Sequence, residues 1–179
     1  MTSSPAHVEL LVAFANSADH ELGTDDLTTR AGLTRWLTEH HTLSRRTPAT
    51  EDDLALARRL REGLHEALVA NHDGAGDARP LAAAAAELPL TLAAVAGRPG
   101  LQPVQDGVRG ALAQLLVAVN EAVADDTWQR IKICSADDCE WAFFDSTKNR
   151  SRHWCEWGCG NKAKTRSYRA RRKAADATA

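Results

Sequence analysis

The stretch CSADDCEWAFFDSTKNRSRHWCEWGCGNKAKTRSYRARRK, residues 134–173, decides how this chain is read. It holds all four cysteines of the 179 residues. Cys134-x4-Cys139 is followed, after fifteen intervening residues, by Cys155-x3-Cys159. Two close pairs split by a longer segment are the spacing of a tetrahedral four-thiolate site, and Zn2+ is the ion such a donor set suits. Two disulfides are the competing reading. A redox dithiol is disfavoured, because no Cys-x-x-Cys is present. Four sulfurs close the coordination shell and leave no position for water, so one structural ion is expected rather than a catalytic one. A four-residue gap lets the backbone form a knuckle, and Cys159 is placed at the start of a helix, where free N–H groups can donate to its sulfur. Knuckle, hairpin and a helix carrying the last ligand make a treble-clef-like layout. Trp141, Trp154 and Trp157 are expected to pack around it.

The residues that follow are crowded with cations. Lys162, Lys164, Arg166, Arg169, Arg171, Arg172 and Lys173 lie in one helix-like run, and Lys162, Arg166, Arg169 and Lys173 fall in a narrow stripe at 3.6-residue periodicity. Lys148, Arg150 and Arg152 add a second basic edge between the cysteine pairs. The net charge of −2 therefore hides a division. Residues 1–147 carry 12 Lys and Arg against 22 Asp and Glu, a net of −10, whereas residues 148–179 carry 10 against 2, a net of +8. Only the second segment suits a polyanion, and a basic helix behind a metal module can lie in a major groove or along phosphates. Docking of the basic tail on the acidic body is the plainer alternative.

Upstream, the periodicity is mainly helical. Residues 7–17, HVELLVAFANS, read as a buried helix, and 19–26 as a polar loop. Thr29 is placed to cap a helix to about His41, with Leu33, Trp36, Leu37 and His40 on one face. Thr50 and Asp53 form a capping-box pattern for a helix to about His72. Its inward row is Leu56, Leu60, Leu64, Ala67 and Leu68, and Arg58, Arg59 and Arg61 are expected at its solvated face. Pro80 should open an alanine-rich helix at its first position, and the five alanines at 82–86 favour close helix packing. LTLAAVA (90–96) and LQPV (101–104), joined by GRPG, can make a small β-hairpin. Asp106 is expected to cap a long central helix with a stripe of Val108, Ala111, Leu112, Leu115, Leu116, Val119 and Val123. IKIC and EWAFF read as strands. The expected fold is mainly α (α+β): a helical region over 1–127 and a metal module over 128–179.

No Gly-rich phosphate loop, nucleophile elbow or His-Glu metal motif appears, and no acid–base pair stands out, so an enzyme is the least favoured class. No apolar stretch is long enough to span a bilayer; 81–96 is interrupted by Glu87 and Pro89. Nothing resembles a signal peptide, and a cytoplasmic protein without a membrane partner is expected.

Cys134-x4-Cys139, FFDSTKNRSRHWC and Cys159-Gly160-Asn161-Lys162-x-Lys164 resemble the CGNR-type zinc finger. FANS (14–17) and DDLTTRAGLTRWL (25–37) look like two landmarks of the ABATE domain that precedes that finger in a family of stress-induced transcription regulators. The resemblance implies four zinc-binding cysteines and a regulatory role, and it supplies no ligand for the body. Two positions depart from the pattern. Lys162 stands in place of the motif's arginine and lacks its guanidinium fork; Trp157 replaces a methionine. The expected function is a DNA-binding regulator whose partners are double-stranded DNA, a small-molecule effector of residues 1–127 and a second copy in a homodimer, since one short helix contacts few base pairs. Structured RNA or a protein partner with purely structural zinc are the alternatives.

Overall fold

The computed structural model describes residues 4–165, apart from 20, 44–46, 75, 137, 157, 163 and 164. Five helices and three two-stranded hairpins occur among these residues: α1 (Ala6–Ala15), β1 (Ala18–Asp19), β2 (Thr24–Asp25), α2 (Arg30–Glu39), α3 (Glu51–Asp73), α4 (Arg79–Ala85), β3 (Leu90–Val95), β4 (Arg98–Pro103), α5 (Gly107–Ala124), β5 (Ile131–Ile133) and β6 (Ala142–Phe144). Each sheet is an antiparallel pair. No helix among the described residues is long and apolar enough to cross a membrane.

The helix starts follow from local chemistry. Thr29 Oγ1 accepts from Gly32 N–H at 3.0 Å and opens α2. Thr50 and Asp53 satisfy each other's backbone N–H groups at the start of α3. That reciprocal cap removes two orphan donors from a helix of 23 residues, which ends at Gly74 in the left-handed region. Asp106 occupies the cap position of α5, but its side chain makes no capping bond. Pro80 sits at the second helical residue rather than the first, and Asp77 accepts from Arg79 N–H just ahead of it.

The main core gathers the apolar rows of α1, α2, α3 and α5. Leu56, Leu60, Leu64, Ala67 and Leu68 are buried, as their spacing predicts. Phe14 meets Trp36 edge-on at 5.1 Å, and His40 stacks on Trp36 at 4.1 Å. On α5 the expected stripe is buried from Val108 to Leu115 but runs out at Val123, which is 59% exposed near the helix end. Helix α4 lies directly on α3. A side chain at Gly63 would meet the backbone of Leu81 at 2.5 Å, so a glycine is needed at that crossing.

Two arginines of α3 depart from the solvated role expected of them. Arg61 is buried and forks onto both oxygens of Asp25, at 2.7 and 2.9 Å, while also reaching Ser17 Oγ at 3.2 Å. Arg58 donates to the carbonyls of Leu27 and Thr28. Together they fasten residues 14–17 to residues 25–28, and Asp26 N–H donates to Ser17 O between them. The Arg61 hydrogen bonds hold the Asp25 carboxyl below its ordinary range. Arg59 alone is a surface cation, paired with Glu87. Arg61→Met should therefore cost about 3 kcal/mol in chemical denaturation, because it strands a partly buried carboxylate. Arg59→Met, which breaks an exposed pair, should cost less than about 1 kcal/mol in the same measurement.

Candidate metal centre

Strands β5 and β6 bracket the first cysteine pair. Ile131 pairs with Phe144, Lys132 with Phe143 and Ile133 with Ala142. Cys134 N–H extends the ladder by donating to Trp141 O at 2.9 Å. Between the strands the chain turns back on itself: Cys139 N–H donates to Ala136 O at 3.0 Å, and Glu140 takes a positive φ of 52°. The paired strands thus flank the first knuckle. Between Phe144 and Trp154 the chain runs as an irregular loop.

That loop is shaped by a buried ion pair. Asp145 is fully buried, and Lys132 is 5% exposed. Lys132 Nζ lies 2.9 Å from Asp145 Oδ2 and also donates to the carbonyls of Arg150 and Arg152. Asp145 further accepts from Thr147 N–H, Thr147 Oγ1 and Arg152 N–H. Every lone pair of the carboxylate faces a donor, which is the condition for a buried charge to be tolerated. Burial raises the Asp145 carboxyl, but the Thr147 and Lys132 bonds outweigh it and bring it down to about 2. The loop then brings His153 O within 2.9 Å of Ser135 N–H, so the second cysteine pair returns beside the first. Gly158, with φ of 83°, precedes a helical turn at 159–162 that begins on Cys159, as its spacing implied.

The four sulfurs converge. Cys134, Cys139, Cys155 and Cys159 are all buried and free of disulfides, and their Sγ atoms lie within 4.8 Å of one another. Cys139 and Cys155 are separated by 3.7 Å, and Cys155 and Cys159 by 3.6 Å. A disulfide needs about 2.05 Å. A tetrahedral ion with sulfur at about 2.3 Å sets its ligands about 3.8 Å apart, which these separations match. Backbone N–H groups aim at the sulfurs as well. Cys155 N–H lies 3.5 Å from Cys134 Sγ. Burial raises the Cys134 thiol, but N–H donors from Cys155 and Ala136 outweigh it and bring it below the usual thiol range, whereas burial pushes the Cys139 thiol up. Phe143, Ala136, Trp141 and Trp154 form the small apolar shell around the sulfurs. Trp157 lies outside the described residues.

The centre is grafted onto the body. Ile131, Ile133 and Ala142 belong to the main core, whereas Phe143 faces the sulfurs. Asn16 imitates a neighbouring strand: its Oδ1 accepts from Ala142 N–H at 2.7 Å and its Nδ2 donates to Ala142 O at 2.9 Å. Asn71 donates to the carbonyls of Trp128 and Ile131, and His65 Nε2 lies 3.1 Å from Glu140 O. None of Asn16, His65, Asn71, Lys132 or Asp145 is marked by spacing in the sequence. Asn16 and Asp145 lie within the FANS and FFDSTKNRSRHWC motifs, which assign them no role, and Lys132 is a cation inside the apolar strand IKI, which requires a partner if the strand is buried.

The candidate nucleic-acid residues divide. Lys148 is exposed. Arg150 pairs with Asp126 at 2.6 Å. Arg152 donates to Trp154 O and Glu156 and lies over the Phe143 ring at 5.2 Å. Lys162 reaches Glu21 at 3.2 Å, and that contact raises its ammonium above the ordinary value. Lys164, Arg166, Arg169, Arg171, Arg172 and Lys173 lie outside the described residues. An open groove of about 880 Å³ along α2 and the start of α3, lined by Thr28, Thr34, Arg35, Thr38 and Glu51 among others, shares no residue with the sulfur cluster.

Lys132→Met should cost about 3–5 kcal/mol at neutral pH in metal-saturated protein, since Asp145 is left charged without its counter-ion. The Asp145 carboxyl is depressed in the folded state, so its stabilisation is complete above the unfolded value of about 3.9 and is lost as pH falls through about 2. In Lys132→Met the carboxyl loses the cation that helps to depress it, so denaturation across an acid pH series should show a smaller loss of stability between about pH 4 and pH 2 than in the unsubstituted chain.

Residues 130–172 match the model of the CGNR zinc finger. Residues 9–128 match the family described as "Putative stress-induced transcription regulator", ABATE. No curated protein matches the chain significantly. The second match covers most of the chain, and the first contains all four converging cysteines. The sulfur cluster and the helical body to which it is fastened are thus the two parts of one recognised arrangement, and the chain belongs to the ABATE family, with a CGNR zinc finger at its C-terminal side.

Proposed function

We propose that the protein is a zinc-dependent, DNA-binding transcription regulator. Cys134, Cys139, Cys155 and Cys159 would hold one Zn2+ as a structural ion, and the cationic segment from Lys148 to Lys173 would meet duplex DNA. The observation that carries this reading is the position of the four-sulfur cluster, which lies immediately before the most basic part of the chain. Cys159 opens the helical turn that leads into that part, so an ion on its sulfur would fix the direction from which the cations leave the body. The donor set is closed, so the ion supplies rigidity and no reactive water. Exposed Lys148 would extend the basic edge on the neighbouring loop.

One observation favours a second reading, a protein-binding adaptor. Arg150, Arg152 and Lys162 already have carboxylate partners within the chain, at Asp126, Glu156 and Glu21. A segment whose cations are matched internally has less to offer a phosphate backbone.

Two experiments test these readings. Native mass spectrometry should find one zinc per chain, and Cys155→Ser should lose it. Because Ile131 and Ala142 sit in the body's core, removing the ion should destabilise the whole chain and not only its second half. The difference should reach about 4 kcal/mol when free metal exceeds its dissociation constant about a thousandfold. Duplex DNA binding should weaken steeply with salt. If about six phosphates are neutralised, the log–log slope should be about −5, and Arg166→Gln with Arg169→Gln should reduce it by about two. A zinc-loaded chain that binds no duplex at low salt would leave the adaptor reading in place.

A further inference from the structure

Strands β3 and β4 form a hairpin at the side of the helical body, closed by Ala96 and Gly97, both with positive φ, at 49° and 78°. Both central residues in the left-handed region make a tight two-residue turn, whose twist matches that of the strands. The turn is shorter than the GRPG loop the sequence suggested, and Arg98, Pro99 and Gly100 are strand residues. Val104 N–H donates to Pro89 O at 3.0 Å. Stepping along the register by two, the bonded pairs are Thr91 with Gln102, Ala93 with Gly100 and Val95 with Arg98. Leu90, Leu92 and Ala94 therefore turn their N–H and C=O groups away from β4, and Pro99, Leu101 and Pro103 turn theirs away from β3.

The two outer edges differ. On β4, two of these three outward positions are proline and have no N–H to donate, so a further strand cannot be added there. On β3 all three outward donors are present. Residues 90–95 are Leu, Thr, Leu, Ala, Ala and Val, without a charge or a proline, and β3 pairs with no strand other than β4 among the described residues. Natural proteins blunt exposed edges with proline, lysine or bulges. β4 is blunted in this way and β3 is not. Leu92 is 70% exposed and Val95 is 44% exposed, which leaves apolar surface beside the open edge.

We propose that the β3 edge is a self-association surface, pairing antiparallel with β3 of a second copy to give a four-stranded sheet across a twofold axis. An uncharged edge with alternating outward donors and acceptors is complementary to itself in the antiparallel sense, and no like charges meet across it. The proline-bearing β4 strands then become both outer edges of the joint sheet. They stop the assembly at two copies, where an unblocked second edge would allow a fibre to grow. The surface involves neither the cysteines nor the basic segment, so it stands apart from the DNA-binding reading. Six paired residues make a small interface, and a dissociation constant in the micromolar range is expected.

The test uses the full metal-loaded chain. Sedimentation over a concentration series should show a monomer–dimer equilibrium. Amide exchange at Leu92 and Ala94 should slow as the dimer forms. Leu92→Lys puts a charge on an exposed position and should weaken association by at least about tenfold, with an unchanged melting temperature at concentrations where the chain is monomeric. Ala94→Pro removes an outward donor without touching the β3–β4 ladder and should have the same effect. A monomer at every concentration would overturn the proposal and leave the edge to a strand of another protein. A dimer that survives both substitutions, or whose 90–94 amides exchange as fast as in the monomer, would overturn it equally.

Discussion

The structure depends on one short hairpin having two faces. In β5 and β6 successive side chains point to opposite sides. One side, Ile131, Ile133, Ala142 and Phe144, is covered by the helical body. The other carries Lys132 and Phe143, a facing pair in the register, toward the buried carboxylate and the sulfur cluster respectively. A slip of one residue would exchange the two sets, placing a lysine in the apolar core and isoleucines against the sulfurs. The register is therefore held from several directions. Asn16 grips both backbone groups of Ala142, Asn71 grips the carbonyls ahead of β5, and Cys134 N–H is tied to Trp141 O.

These ties make the sulfur cluster and the helices energetically continuous. The apolar shell of the cluster is small, with one phenylalanine, two tryptophans and an alanine beside the cysteines. Such a shell cannot stabilise a domain unaided. It is supported by the body on one side, and on the other its four cysteines are placed to coordinate a metal ion. A change at Asn16, which caps the end of helix α1, thus acts directly on the strand that leads away from Cys139.

What could be read in advance was what repeats or what is spaced. The capping box at Thr50, the Thr29 cap, the leucine row of α3 and the two cysteine pairs each carry a pattern over several residues. The polar groups that lock the structure carry none. Arg61 sits between Arg58 and Glu62 on a helix that looks solvated there, and only the fold brings Asp25 and Ser17 over it. Lys132 and Asp145 are thirteen residues apart, with the whole first knuckle between them. Asp106 had the right residue type at the right position, yet it leaves the α5 N-terminus without a side-chain cap. The β3–β4 turn went astray for a different reason: Gly97 and Pro99 are both turn formers, but the actual turn uses an alanine at positive φ, a conformation that alanine rarely supplies.

The division of charge has a physical consequence once its contacts are known. Arg150–Asp126 and Lys162–Glu21 join the basic segment to the acidic body through largely exposed groups. Exposed pairs of this kind contribute little to stability and are screened further by salt. A polyanion that neutralises several cations at once gains more than it displaces, so internal pairing lowers its affinity without blocking it. Arg152 is different. Its guanidinium is held by Trp154 O, Glu156 and the Phe143 ring, and its own N–H supports Asp145. Freeing it would disturb the loop that brings the second cysteine pair to the first. Of the basic residues between the two pairs, Lys148 and Arg150 can turn outward at little cost, while Arg152 belongs to the frame that holds the sulfurs together.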